Sequence, residues 1–471
     1  MAASFHVEHF GCRAARADGE AVSARLREAG LGDASPRVAD VVIVNTCSVT
    51  AEADRAARAF IRRAHRLNPE ARIVVTGCYA QRAPQELTGM GGVAAVVGNS
   101  HKALAPEIAL SLLRRAAPHE GSGLIQVQNA PASPQVVWAD DRFAHSFLEE
   151  AQIVPGAQTR PNLKIQEGCG NRCTFCVIPS TRGPSKSLAA ASVLGQVEGF
   201  VAAGGRELVL SGINLGRWGR DLPDADGERG ETLAGLVRAI FERTTLARLR
   251  LSSIEPMDWD ANLIELMAEF GNAKTGPARL ARHAHMPLQS GSDAVLRRMH
   301  RRYRPWHYVE KVEALVRSCG PALTLGADVM VGFAGETDAE FEETLELVRA
   351  LPFGYLHLFP FSPRPGTKAW ALNAERPVPT EVVAERMLVL RTLAAEKSEL
   401  HRRSFLGQEL EAITLHTPAE LEARARTAAL TENFLPVELE GRMEANRLVR
   451  VRVTGLTAEK AVEAVLGGNP A

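Results

Sequence analysis

What the sequence lacks narrows it first. Its 55 Lys and Arg are matched by 55 Asp and Glu, so no net charge is available to hold the whole molecule on a polyanion. A nucleic-acid partner would have to be met by local basic patches, and the balance neither supports nor excludes RNA. No apolar run reaches the roughly 18–20 residues of a membrane span. The opening segment MAASFHVEHF lacks the basic-then-apolar pattern of a secretory signal, so a cytoplasmic protein without a membrane partner is expected. With 45% hydrophobic and 23% charged residues, disordered and collagen-like classes are excluded. At 471 residues the chain is long enough for two to four domains, each with a core of its own.

Cysteine is what is present. There are seven, at positions 12, 47, 78, 169, 173, 176 and 319, and in a cytosolic chain an odd set points to metal ligands or catalytic groups rather than to a disulfide framework. Over residues 1–116, short β-type runs (SFHVEH, DVVIVNT, RIVVTG, AAVVG) alternate with helical stretches, the pattern of a parallel α/β sheet. Residues 117–160 are rich in Pro, Ala, Ser and Gln and read as a linker. From 161 to 403, six β-type runs, from LKIQEG at 163 to YLHLFPFS at 355, are separated by helix-compatible sequence. They predict an open six-unit partial (β/α) barrel with its site at the carboxyl ends of the strands, closed by a long helical stretch at 380–403. Residues 404–471 read as short strands with polar turns, a small all-β barrel. The fold class is therefore α/β with an all-β appendage.

Cys169, Cys173 and Cys176 form C-x3-C-x2-C directly after the first barrel run. Three thiolates on one loop do not complete a four-ligand zinc site, whereas they suit an iron–sulfur cluster with one iron left open. Cys12, Cys47 and Cys78 each follow a predicted strand, and in a parallel sheet such positions gather at one edge, so a second three-cysteine cluster is expected there. Cys319 has no partner at a suitable spacing and reads as packing. Arginines form three local groups: Arg55, Arg58 and Arg62, with Arg63 and Arg66, on one side of a helix; Arg297, Arg298, Arg301, Arg302 and Arg304; and Arg450 with Arg452 on one face of a strand. A solvated face is the ordinary account of such groups and an RNA-backbone contact the sharper one; for the middle run a salt-bridged helix weighs equally.

The C-x3-C-x2-C loop at the top of a six-unit barrel resembles the radical S-adenosylmethionine superfamily. By that resemblance the open iron chelates S-adenosylmethionine, Phe175 packs beside its adenine, and the segment SGINLG, with Ser211, Gly212 and Asn214, lines the cosubstrate pocket. Glu255, Asp328 and Glu336 at strand ends are further candidates for binding polar groups of cosubstrate or base. Together with the second triad and the terminal barrel, the whole chain resembles the methylthiotransferases, with their cluster domain, radical domain and RNA-binding TRAM domain. NTCSVTAEADRAAR and VVTGCYAQRAPQEL look most like the branch that modifies N6-threonylcarbamoyladenosine in tRNA. The resemblance implies two [4Fe–4S] clusters and two S-adenosylmethionines per turnover, one as radical source and one as methyl donor. The expected reaction is methylthiolation at C2 of N6-threonylcarbamoyladenosine at position 37, next to the anticodon. It also implies the anticodon stem-loop as substrate partner, an electron donor such as flavodoxin or ferredoxin, and a sulfur source. Isopentenyladenosine tRNA, a ribosomal-protein aspartate, and a non-catalytic iron–sulfur RNA-binding regulator are the alternatives. The sequence departs from the family's usual residues at Ala15, Ser180 and Lys186.

Overall fold

The computed structural model describes residues 3–116, 137–145, 159–222, 230–271, 277–457 and 461–467. Near the amino terminus, β1 (Ser4–His9), β2 (Gly32–Asp33), β3 (Val41–Thr46), β4 (Arg72–Gly77), β5 (Val93–Gly98) and β6 (Val137–Trp138) form one parallel sheet in the order β2-β1-β3-β4-β5-β6. Its central strands carry near-continuous apolar runs, VVIV in β3 and IVV in β4, because helices cover both faces. Val42, Val44 and Val75 pack on Phe60 and Ile61 of the helix Ala51–Leu67, while Val41, Ile43 and Val74 share the other face with Val22 and Ile108. That helix starts where Thr50 accepts a hydrogen bond from the Ala53 amide at 3.2 Å, with Glu52 and Asp54 in its first turn. The edge strand β6 comes from the expected linker 117–160. Residues 117–136 and 146–158 of that segment lie outside the described residues.

The central part is the expected open barrel. β7 (Asn162–Glu167), β9 (Glu207–Gly212) and β10 (Arg248–Leu251) pair in parallel, as do β11 (His283–His285), β12 (Thr324–Val331) and β13 (Phe353–Pro360). A parallel bridge between Leu249 and Leu280 joins the two groups, and the short antiparallel β8 (Lys186–Ser187) borders β7. The long helix Thr380–Arg403 packs along β13. Finally, β14 (Glu409–Thr414), β15 (Arg426–Thr431), β16 (Pro436–Glu440), β17 (Leu448–Leu456) and β18 (Val462–Leu466) close into a five-stranded barrel around Leu410, Val437, Leu439, Val451 and Val453. Among the described residues no helix is long and apolar enough to cross a membrane.

The amino-terminal domain is held on the carboxyl ends of the central strands by buried charge. Asp18, from the helix Arg13–Glu28, receives Lys164 of β7, Lys102 at 3.0 Å and Arg182 at 3.0 Å. Glu167 at the end of β7 receives the same three cations at 2.5–2.7 Å. All five side chains are at most 6% exposed. A second clamp lies on the other side: Arg364, after β13, binds Asp54 and donates to Ser48 at 3.0 Å, while Arg82 donates to Ser48 at 2.7 Å and to Asp54 at 2.9 Å.

Burial alone would raise the Asp18 and Glu167 carboxyls, but the surrounding Lys102, Lys164 and Arg182 hold both below their ordinary range. A carboxyl lowered in the folded state stabilises the fold above its unfolded pKa and loses that contribution as pH falls. Asp18→Ala leaves three cations on one carboxylate and is expected to cost about 3–5 kcal/mol at pH 7. Denaturant titrations of wild type and variant should show that difference shrinking as pH drops below about 4.

Candidate active site

Cys12 follows β1, Cys47 follows β3 and Cys78 follows β4, and these three strands are neighbours. Their ends therefore put the three sulfurs on one edge of the sheet. Gly11 makes room for this: at φ +114° it runs against Cys47, where a Cβ would stand 2.9 Å from Sγ. Burial, and then the neighbouring Cys78 and Cys12, push the Cys47 thiol up to about 12. A free thiolate is costly there, so loss of its proton is tied to metal binding. Two N–H donors face Cys78: Asn99 Nδ2 at 3.3 Å and Arg182 Nε at 3.2 Å. Asn45 donates its side-chain N–H to the carbonyl of Ala15, which ties that helix to the end of β3 in spite of the small residue at 15.

The second triad lies on the loop that leaves β7. The Asn171 amide donates to Cys169 Sγ at 3.4 Å and the Ile178 amide to Cys176 Sγ at 3.4 Å. Arg301 Nη1 stands 3.4 Å from Cys173 Sγ and Asn214 Nδ2 3.7 Å from Cys169 Sγ. Such donors favour sulfur in its anionic, ligating form. Burial, followed by the other two thiols, raises Cys176 to about 12. Both triads thus offer three sulfurs, with N–H donors on all three of the second triad and on Cys78 of the first, the chemistry an open-iron cluster requires. The two sites adjoin: Arg182 ends the helix Ile178–Arg182 that follows Cys176, and Asn99 bridges Cys78 Sγ and the Thr181 carbonyl, the latter at 2.8 Å.

Between the domains lies a cavity of about 380 Å³. The amino-terminal domain contributes Val49 and Thr50, and the barrel contributes Phe175, Cys176, Asn214, Glu255, Gln289 and Asp328 among others. Asp328 Oδ1 is 3.1 Å from His285 Nε2 and 3.2 Å from His357 Nδ1. Burial would raise its carboxyl, but the two imidazoles hold it well below the ordinary carboxylate range. Tyr355 Oη backs the cluster, 3.0 Å from His285 Nδ1 and 2.8 Å from His283 Nε2. Gln289, in a left-handed conformation at φ 64°, is 7% exposed, and its Oε1 has no hydrogen-bond partner among the described residues; neither has Asn214 Oδ1. His285, His357 and Gln289 were not read from the sequence. Their signal is weak: Gln289 lies four residues beyond β11, His285 ends that strand, and His357 sits within β13.

Of the cosubstrate candidates, Phe175, Asn214 and Glu255 line this cavity. Ser211 does not: it is 1% exposed within the sheet, its hydroxyl turned to the Leu163 carbonyl at 3.4 Å. Gly212 serves strand approach, since a Cβ there would stand 2.9 Å from the Gln166 Cβ. Glu336 is taken up by the Gly332 amide and Arg386, at 2.9 and 2.8 Å. The expected arginine groups divide. Arg55 and Arg62 are exposed on their helix, and Arg450 and Arg452 are exposed on β17, with Arg452 2.7 Å from Glu409. Arg58 is instead turned to Tyr79 Oη at 2.5 Å and stacks on that ring. Arg301 is corrected outright: it is 7% exposed, paired with Glu255 at 2.6 Å and set against Cys173, because a carboxylate and a sulfur draw it inward. Arg302 remains exposed, 3.6 Å from Asp258. Lys186 donates to the Phe143 carbonyl at 2.5 Å, and Cys319 packs on the barrel core.

A partial (β/α) barrel with a C-x3-C-x2-C loop at the carboxyl end of its first strand defines a radical S-adenosylmethionine enzyme. The model of the radical SAM superfamily matches residues 163–348, and that of the uncharacterized protein family UPF0004 matches residues 4–98. A solved relative in fold is TsrM, a radical S-adenosylmethionine methyltransferase from Kitasatospora setae. It has a TM-score of 0.51 and 15% identity over 80% of this chain and 78% of that one. The threonylcarbamoyladenosine tRNA methylthiotransferase MtaB of Aquifex aeolicus is 33% identical, covering 95% of this chain and 99% of its own; that of Bacillus subtilis is 32% identical over 96% and 93%. A tRNA-2-methylthio-N(6)-dimethylallyladenosine synthase from Parafrankia sp. is 34% identical over 98% and 85%. The chain belongs to the radical S-adenosylmethionine methylthiotransferases and resembles their MtaB-type members over most of its length. It is thus an enzyme of a family that uses two [4Fe–4S] clusters and S-adenosylmethionine, and both triads fit that cofactor set.

Separate triads give separable iron. Replacing Cys169, Cys173 and Cys176 by Ala is expected to leave about four irons per chain. Gly11→Ala, which drives a Cβ into Cys47, is expected to remove about the same amount while sparing the loop after β7. Iron analysis with electron paramagnetic resonance checks both, and a chain that loses all iron in either variant would contradict the arrangement.

Proposed function

We propose that the enzyme converts N6-threonylcarbamoyladenosine at position 37 of tRNA, beside the anticodon, to its 2-methylthio derivative. When bound, the two clusters with S-adenosylmethionine supply what no side chain can, a radical able to attack an unactivated C–H and a sulfur to put in its place. The residues of the chain position the reactants and exclude water. Cys169, Cys173 and Cys176 would hold the radical cluster and Cys12, Cys47 and Cys78 the auxiliary one, with Phe175, Asn214 and Glu255 on the cosubstrate. The target base enters the cavity between them, extruded from its loop as in other base-modifying enzymes.

The observation that carries the substrate is the polar side of that cavity. A threonylcarbamoyl group brings urea N–H donors, a hydroxyl and a carboxylate. Gln289 Oε1 and Asn214 Oδ1, both buried on the cavity wall and without a partner among the described residues, offer acceptors for the urea N–H groups and the hydroxyl. An isopentenyl chain would leave these buried groups unpaired, a penalty that discriminates strongly. The exposed Arg55, Arg62, Arg450 and Arg452 are assigned to the RNA backbone.

Mass spectrometry of tRNA nucleosides from cells lacking the gene is expected to show the methylthio-threonylcarbamoyl nucleoside gone and the methylthio-isopentenyl nucleoside unchanged; the reverse pattern would reject the assignment. Gln289→Leu removes a buried acceptor on the cavity wall and is expected to lower kcat/KM on such a tRNA about tenfold, one hydrogen bond's worth. Arg55→Gln with Arg62→Gln is expected to flatten the salt dependence of tRNA binding by about 1–2 units of log–log slope in a filter-binding assay.

A further inference from the structure

Outside the cavity, one surface stands apart by its charge. A groove of about 600 Å³ runs along the outer side of the radical-cluster loop, walled by exposed Gly170 and Arg172 and by Arg217, Arg297, Arg302 and Arg304. Arg301 closes its inner side. Three carboxylates reach these arginines. Asp258 lies 3.8 Å from Arg217 and 3.6 Å from Arg302, Asp293 lies 2.8 Å from Arg297 and 3.1 Å from Arg304, and Glu255 holds Arg301. Positive charge is in excess, and Arg172 has no carboxylate partner among the described residues. Burial and then the neighbouring charges of Arg302 and Arg220 pull Arg217 below its usual value, as expected where cations crowd without enough counter-charge. Trp306, two residues beyond Arg304, is 55% exposed. Arginine and an exposed tryptophan together are the composition of a protein-binding surface.

The groove and the cavity are separated by one ion pair. Glu255 lines the cavity, Arg301 lines the groove, and Arg301 Nη1 is 3.4 Å from Cys173 Sγ. The cluster ligands are therefore approached from two sides. The cavity side takes cosubstrate and base and has to exclude water, so an electron arriving there would have to cross the bound reactants. The groove side is open. It is also built from the barrel alone, whereas an RNA loop placing a base in the cavity meets Val49 and Thr50 of the amino-terminal domain.

We infer that this groove is the docking surface for an acidic one-electron carrier protein, of the flavodoxin or ferredoxin class, that reduces the radical cluster. The carrier gives up one electron, the oxidised cluster takes it, and no atom or proton changes place. Complementary charge raises the encounter rate and fixes the orientation. The inference rests on the radical chemistry of the family and adds the place where its electron enters.

The test compares reconstituted wild type with Arg172→Glu/Arg297→Glu, two exposed positions away from cosubstrate and base. Reduced flavodoxin and dithionite serve as alternative reductants. Expected for the variant are at least tenfold weaker flavodoxin binding, measured by flavin fluorescence anisotropy, and at least tenfold slower flavodoxin-driven cluster reduction in stopped flow. Dithionite-driven 5′-deoxyadenosine formation and tRNA affinity should stay within twofold of wild type. Arg172→Lys/Arg297→Lys, which keeps the charge, should bind flavodoxin as wild type does. Unchanged flavodoxin binding in the Glu variant would overturn the inference, as would a loss of tRNA affinity in its place, which would make the groove an RNA surface. Wild type that forms no 5′-deoxyadenosine even with dithionite would instead reject the radical chemistry itself.

Discussion

Everything at the centre of this molecule depends on a buried ion cluster. Asp18, Lys102, Lys164, Glu167 and Arg182 come from both domains, and none of them is satisfied without the others. Such a cluster is a poor source of net stability, because each ion loses several kcal/mol of hydration on burial. It is demanding in geometry instead. A shift of the amino-terminal sheet by one turn of helix would leave charge unpaired in an apolar interior, so one docking arrangement survives. The second clamp, Ser48, Asp54, Arg82 and Arg364, fixes the other side. Between the two domains lies the cavity, lined by Cys176 of the radical triad and by Val49 and Thr50 just beyond Cys47.

Both triads are served by the same device. Arg182 reaches Cys78 while bound to Asp18 and Glu167, and Arg301 reaches Cys173 while bound to Glu255. In each case carboxylates hold a guanidinium in place and the guanidinium presents an N–H to a ligating sulfur. Donors of this kind stabilise charge on a cluster and so tune its potential. Glu167 stands two residues before Cys169, which makes the strand that positions the radical cluster part of the network that touches the auxiliary one. Loading either site is coupled by this route to the docking of the domains.

How far the sequence carries this picture is set by the range of the interactions. The strands, the six-unit barrel, the closed terminal barrel and both cysteine sets are visible because they rest on local periodicity and on the residues that immediately succeed a strand. The ion cluster is invisible for the opposite reason: Asp18 and Lys164 are 146 residues apart, and nothing local marks either as buried. Arg301 sits in a run of five arginines that reads as one surface, yet its neighbour Arg302 is exposed and Arg301 is not, since their fates are set by Glu255 and Cys173 far away in sequence. Ser211 misleads in the same way, because a serine at a strand end can face the site or the neighbouring strand, and here it faces Leu163.

The terminal barrel raises a question of reach. It seats against the amino ends of the central strands, where Arg248 meets Glu411 at 3.0 Å, Arg250 meets the Thr431 carbonyl at 3.1 Å, and Phe434 stacks on His283 with ring centres 4.3 Å apart. The cavity lies at the carboxyl ends. Asp328, on the cavity wall, is the fifth residue of β12, four residues or about 13 Å at ~3.3 Å each from the amino end of that strand at Thr324. That distance is crossed inside the protein by contacts from Phe434 through His283, Tyr355 and His285 to Asp328. The seat of the terminal barrel and the polar wall of the cavity are thus parts of one packed column. A displacement of Phe434 would be felt at Tyr355, and from there at Asp328 on the cavity wall.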